Sequence, residues 1–148
     1  MPAVGNCRLL FAPNAMKRLF TLTAVIEVAT GLGLIAAPSL VVRLLLGSPL
    51  DTSAPMMLGR VAGAALLALG VACWLARNDT QSPTVRGLVA AMLLYNVAIV
   101  ALLAFAGLGL GLQGVALWPA VVLHALITIL LGRAWFMNTK DRRTESSH

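Results

Sequence analysis

Charge is what this chain has least of. Only 11% of its 148 residues are Asp, Glu, Lys or Arg, against about 25% in an ordinary soluble domain. A chain this small needs charged surface to stay in water, so the shortage argues against a water-soluble globular domain and makes lipid the expected solvent. Cysteine is nearly absent as well. Cys7 and Cys73 form no CxxC spacing, which excludes a disulfide framework, a thiol–disulfide site and a thiolate zinc site. Cys73 lies in an apolar run and reads as a small buried hydrophobe. There are two histidines, one of them (His148) in the tail, so a bis-histidine haem inside the membrane is not expected. There are no tandem repeats, low-complexity tracts or sustained heptads, and there is length for one domain only.

What the chain has instead is apolar sequence: 59% hydrophobic residues and a mean hydropathy of +0.91. It is gathered into four runs, Leu19–Ala37, Met57–Ala76, Gly87–Gly107 and Trp118–Phe136. As a helix, each run is long enough to cross a hydrocarbon core of about 30 Å. Four such runs leave too few residues to cover them with polar surface. The expected fold is all-α, a polytopic four-transmembrane-helix bundle spanning residues 19–136. Pro38, "RNDTQSPTVR" and "GLGLGLQG" separate the runs. Between the first two lies "PSLVVRLLLGSPLDTSAP", in which Ser39 can cap a short helix and Gly47 can end it. Leu40, Val41, Leu44 and Leu45 then share one side, as in a helix lying at the membrane surface; the competing arrangement is a kinked continuation of the first span past Pro38. "MKRLF" from Met16 is an ordinary start for an inner-membrane protein, so residues 1–15 read as an upstream extension of the N-terminal segment 1–18. Glu27 and the lack of an A-x-A site argue against a cleaved signal peptide. The tail, residues 137–148, reads as a disordered, basic, solvated segment attracted to anionic lipid.

The net charge of +6 does not point to nucleic acid, because the basic residues stand at the ends of apolar runs and form no single face. Nine of the eleven lie on one side: Arg8, Lys17, Arg18, Arg77, Arg86, Arg133, Lys140, Arg142 and Arg143. Arg43 and Arg60 fall on the other. By the positive-inside rule both termini are cytoplasmic. Trp74, Trp118 and Trp135 stand near span ends, as interfacial anchors do.

The stretch "TAVIEVATG" places a carboxylate, Glu27, deep inside the first run. Glu27 is nine positions from Arg18, Asn96 ten from Arg86 and His124 nine from Arg133. At about 1.5 Å per residue, the three share one depth near the bilayer midplane. Thr23 and Thr30 flank Glu27 at helical spacing, Thr128 follows His124 by one turn, and Tyr95 is turned about 100° from Asn96. A buried charge in hydrocarbon faces the bundle interior with a partner, so Glu27, Asn96 and His124 are expected to converge there. With Tyr95 and Thr128 they form a candidate ligand, proton or quinone site, or a polar plug holding the helices in register. Glu27 and His124 are also placed to share a proton. Arg60 is the counter-charge by type. Its backbone lies about 10 Å further out, so it either snorkels outward or reaches down to the layer. "GRVAG" and the small residues after it mark close packing within the bundle or between protomers. "GLGLGLQG" lacks the strand and helix of a nucleotide loop and reads as a turn.

The layout of an apolar helix ending in proline, a short surface helix and then "GRVAGAALLALGVACWLAR" resembles the DoxX-like group of small four-helix bacterial membrane proteins. That resemblance implies an inner-membrane protein that is an accessory subunit of a quinone-linked oxidoreductase and not itself an enzyme; a quinone or lipid is the expected ligand, and a homo-oligomer or larger membrane complex the expected assembly. The glutamate of "AVIEVATG" in a first helix is similar to small multidrug resistance exporters, which implies a proton-coupled exporter; the later helices lack that family's aromatic and glycine pattern, and His124 is not required by it. Topology is testable directly. Reporter fusions should place the C-terminal tail in the cytoplasm and a fusion at Gln113 outside it, and the reverse result would remove the depth scale used above.

Overall fold

A computed structural model describes residues 13–79 and 82–145, with side chains described within 15–79 and 82–136. Five helices follow one another: α1 Pro13–Ala36, α2 Pro38–Leu46, α3 Ser53–Ala76, α4 Pro83–Leu108 and α5 Leu117–Glu145. No strand occurs among the described residues. Four helices contain spans long and apolar enough to cross a membrane: Ala15–Ala36, Ser53–Ala76, Pro83–Leu108 and Leu117–Phe136. The chain is therefore an all-α, multi-pass, four-helix membrane bundle with a short helix between its first two spans.

Local chemistry sets the boundaries. Proline opens α1, α2 and α4, where its missing N–H costs nothing and its fixed φ suits the first turn. Ser82 caps α4, its hydroxyl accepting from the Val85 N–H at 3.2 Å. α2 is separate from α1, not a kinked extension, because Ala37 breaks the run with φ −140° and ψ 64°. Ala37, and not Ser39, occupies the N-cap. Ser39 Oγ accepts instead from the Leu50 N–H at 3.1 Å, pinning the segment that returns toward α3. Gly47 ends α2 as expected. It takes a left-handed φ of 80° and donates its N–H to the Arg43 carbonyl. A side chain there would run into the backbone of Gln113, so α2 also serves as a seat for the loop between α4 and α5. The Ala116 N–H donates to the Leu44 carbonyl at 2.9 Å in the same contact. Leu40 and Leu44 remain exposed, as suits a helix whose apolar side meets lipid.

Two boundaries differ from expectation. α1 begins at Pro13, ahead of the apolar run, and the extension before it lies outside the described residues. α5 continues to Glu145, where an unordered tail was expected; residues 146–148 lie outside the described residues. No Gly or Pro follows Gly132, and residues such as Met, Lys, Arg and Glu carry a helix onward at little cost once it is nucleated.

The spans associate as two pairs, α1 with α3 and α4 with α5. The first pair is very close. A Cβ on Gly31 would lie 2.7 Å from the Gly63 carbonyl oxygen, and one on Gly70 would lie 2.8 Å from Val28. Helices in lipid gain nothing from excluding water, so they join where small residues let backbones approach. Within "GRVAG", Gly63 faces α1 of the same chain, whereas Ala64 and Ala68 beyond it are exposed; Gly31 and Gly70 complete the seam. The pairs meet at one end of the bundle around Phe20, Ala24, Cys73, Val89, Met92, Ile127 and Leu131. At this end Arg77 lies over the Trp74 ring, 3.8 Å from its centroid, and Arg86 faces the Trp135 ring. Substitution of Gly63 by Val should reduce stability by about 1–3 kcal/mol through overpacking, read by denaturation in mixed micelles. Gly87→Ala, where nothing lies within 4 Å, should leave stability equal or slightly higher. Equal behaviour of the two variants would mean that the α1–α3 seam tolerates separation.

Candidate functional site

A polar cluster lies where the two helix pairs meet. α1 brings Glu27, α4 brings Tyr95 and Asn96, and α5 brings His124 and Thr128. Glu27 is 2% exposed and Asn96 0%, while Tyr95 and His124 are half-buried. The shared depth read from the flanking arginines thus corresponds to one spatial cluster.

The connections run from helix to helix. Tyr95 Oη donates to Glu27 Oε2 at 3.4 Å, a long contact for O–H···O. The Tyr95 ring meets the His124 ring edge-on, with centroids 6.0 Å apart and planes at 78°. His124 Nδ1 lies 2.8 Å from Asn96 Oδ1. Asn96 Nδ2 donates to the Met92 carbonyl at 2.7 Å. That leaves Oδ1 as the acceptor toward His124, so Nδ1 carries the hydrogen of that bond and Nε2 is the nitrogen left for another partner. Thr128 Oγ1 donates back to the His124 carbonyl at 2.8 Å, so Thr128 supports the α5 backbone beside the cluster. The 100° between Tyr95 and Asn96 lets α4 serve two neighbours: Tyr95 reaches α1 and Asn96 reaches α5.

Glu27 Oε1 is buried and has no hydrogen-bond partner among the described residues. Buried polar atoms are almost always paired, and an unpaired one calls for an explanation. Thr23, also 2% exposed, lies one turn away on the same helix. Thr30 does not belong to the cluster, since it is exposed.

Arg60 also stands apart. It is exposed, and its Nε donates to the Ile35 carbonyl at 3.3 Å. Ile35 is eight positions from Glu27 along α1, about 12 Å of helix. The helix break before Pro38 leaves the last carbonyls of α1 without intrahelical donors. A cation is favoured at that end of the helix dipole, so Arg60 closes the C-terminus of α1 and does not reach down to the carboxyl. No group of three or more His, Cys, Asp or Glu able to hold a metal ion occurs among the described residues.

Fold and cluster define a class, a multi-pass helical bundle with a polar centre. Comparison of the chain with family models, curated proteins and solved structures finds no match. The chemistry of the cluster is therefore the basis for a functional reading. Removing Asn96 tests its cohesion. Asn96→Ala leaves His124 Nδ1 without its partner and should cost about 1–2 kcal/mol in micelle denaturation, with less effect from Thr128→Val. A larger loss from Thr128→Val would mean that the Thr128 contact to the His124 carbonyl, more than the Asn96–His124 bond, holds the cluster together.

Proposed function

We propose that this chain is a non-enzymatic, multi-pass protein of the bacterial inner membrane, with both termini cytoplasmic, whose midplane cluster of Glu27, Tyr95, Asn96 and His124 is a ligand or proton site. One observation carries the reading: the buried Oε1 of Glu27, which has no partner among the described residues. A cluster that served only to hold helices in register has no use for an unpaired carboxyl oxygen, which costs stability in a medium without water. A small ligand that places a hydroxyl, amide or amine hydrogen on Oε1 removes that cost, and His124 Nε2 offers a second point of attachment. The four-helix layout supports placing the chain near the DoxX-like proteins, as an accessory subunit. A quinone or a lipid headgroup suits the donor set.

A second reading has its own support. Tyr95 touches the Glu27 carboxyl and stacks edge-on against His124, so three proton-carrying groups follow one another across three helices. This arrangement fits a small proton-coupled exporter. Proton-driven substrate uptake into liposomes distinguishes that activity from ligand binding alone, and a quinone co-purifying with the protein favours an oxidoreductase subunit.

Glu27→Gln is the discriminating substitution, because it keeps shape and most hydrogen bonding while removing the titratable group. The variant should insert, fold and denature like the parent, within about 1 kcal/mol, yet lose the ligand- or pH-dependent change in tryptophan fluorescence. His124→Ala should lose the same response. A Glu27→Gln protein indistinguishable from the parent in both stability and response would make the carboxyl a packing element.

A further inference from the structure

One groove on the outside of the bundle combines an apolar floor with paired positive charge. It lies between the start of α1 and the end of the α5 span and encloses about 350 Å³. Met16, Leu19, Leu22 and Leu130 line it, together with Arg18 and Arg133. Leu22 and Leu130 are 55% and 44% exposed, so the floor is open to surrounding lipid. A broader hollow along α1 shares Arg18 and Leu22 with this groove and adds Lys17. Arg18 and Arg133 are each nine positions from a residue of the midplane cluster, Glu27 and His124 respectively. That distance is about 14 Å of helix, roughly half the hydrocarbon thickness, which sets both guanidinium groups near the depth of lipid phosphates with the leucines below them among the acyl chains.

We propose that this groove binds one anionic phospholipid, its phosphate held by Arg18 and Arg133 and an acyl chain laid along Leu19, Leu22 and Leu130. Guanidinium groups match phosphate oxygens in geometry as well as charge. Lys17 beside the groove and the basic excess at this end of the bundle favour a lipid with net negative charge over a zwitterionic one. The midplane cluster takes no part, so the inference is independent of the function proposed above.

The test is native mass spectrometry of the full-length protein released from mixed micelles containing equal amounts of phosphatidylglycerol and phosphatidylcholine. The parent should retain phosphatidylglycerol in preference, with one molecule held most strongly. R18Q/R133Q should retain it about tenfold less or lower, whereas R142Q/R143Q, which removes the same charge from the tail, should behave like the parent. Equal retention of the two lipids by the parent would overturn the proposal, as would equal loss in the two double variants, which marks diffuse attraction to the basic end. Should R18Q/R133Q fail to fold, R18K/R133K keeps the charge and removes the forked donors. Retention by that variant should fall below the parent's, and undiminished retention would overturn the assignment of the phosphate to these two guanidinium groups.

Discussion

The hydrocarbon core of a bilayer donates and accepts no hydrogen bonds, and the rest of this structure follows from that constraint. Backbone groups must be paired within each span, so every span is a helix. Side-chain polar groups need partners, so Glu27, Tyr95, Asn96 and His124 are collected between helices, while Thr128 bonds to its own helix backbone. Even the ends of spans show the effect. The free carbonyls where α1 breaks at Ala37 attract Arg60, whose Nε donates to Ile35. The α2 terminus accepts the Ala116 N–H from the loop between α4 and α5. Both contacts lie at the α2 end of the bundle.

The same constraint removes the usual reason for helices to join, because burying apolar surface gains little when the surroundings are equally apolar. Close backbone approach takes its place between α1 and α3, at Gly31, Gly63 and Gly70. α4 and α5 form the other pair, with Asn96 and His124 bonded across their contact. The two pairs then meet through the apolar cluster around Phe20, Met92 and Leu131 and through the hydrogen bond from Tyr95 to Glu27. The Glu27 carboxyl therefore lies at the seam between the two halves, with one oxygen unpaired among the described residues.

Much of this was legible because hydrophobicity in a membrane chain is nearly a direct readout of geometry. Apolar length gave the number of spans, and positions counted from flanking arginines gave the common depth of Glu27, Asn96 and His124, since helical rise is constant. Helix ends were less legible. Apolar character stops where lipid stops, but a helix stops only where its hydrogen bonding is interrupted, and so α1 begins before its apolar run and α5 continues beyond Phe136. Ser39 had the right chemistry for a cap, yet Pro38 already occupied the first turn and left Ala37 at the cap position.

The sequence by itself determined the solvent, the count of helices and the depth of the polar residues, because these depend on composition and on a fixed rise per residue. Azimuth and partner were decided only by the tertiary structure. Thr30 turns outward although its spacing matches Thr23, and Arg60 serves the end of α1 although its charge matches Glu27. Tyr95 becomes the link to α1 because its hydroxyl reaches across from α4 to Glu27. Which face of a helix is inside depends on the neighbours it packs against, and with so little polar contrast around each span, only their assembled positions distinguish one face from another.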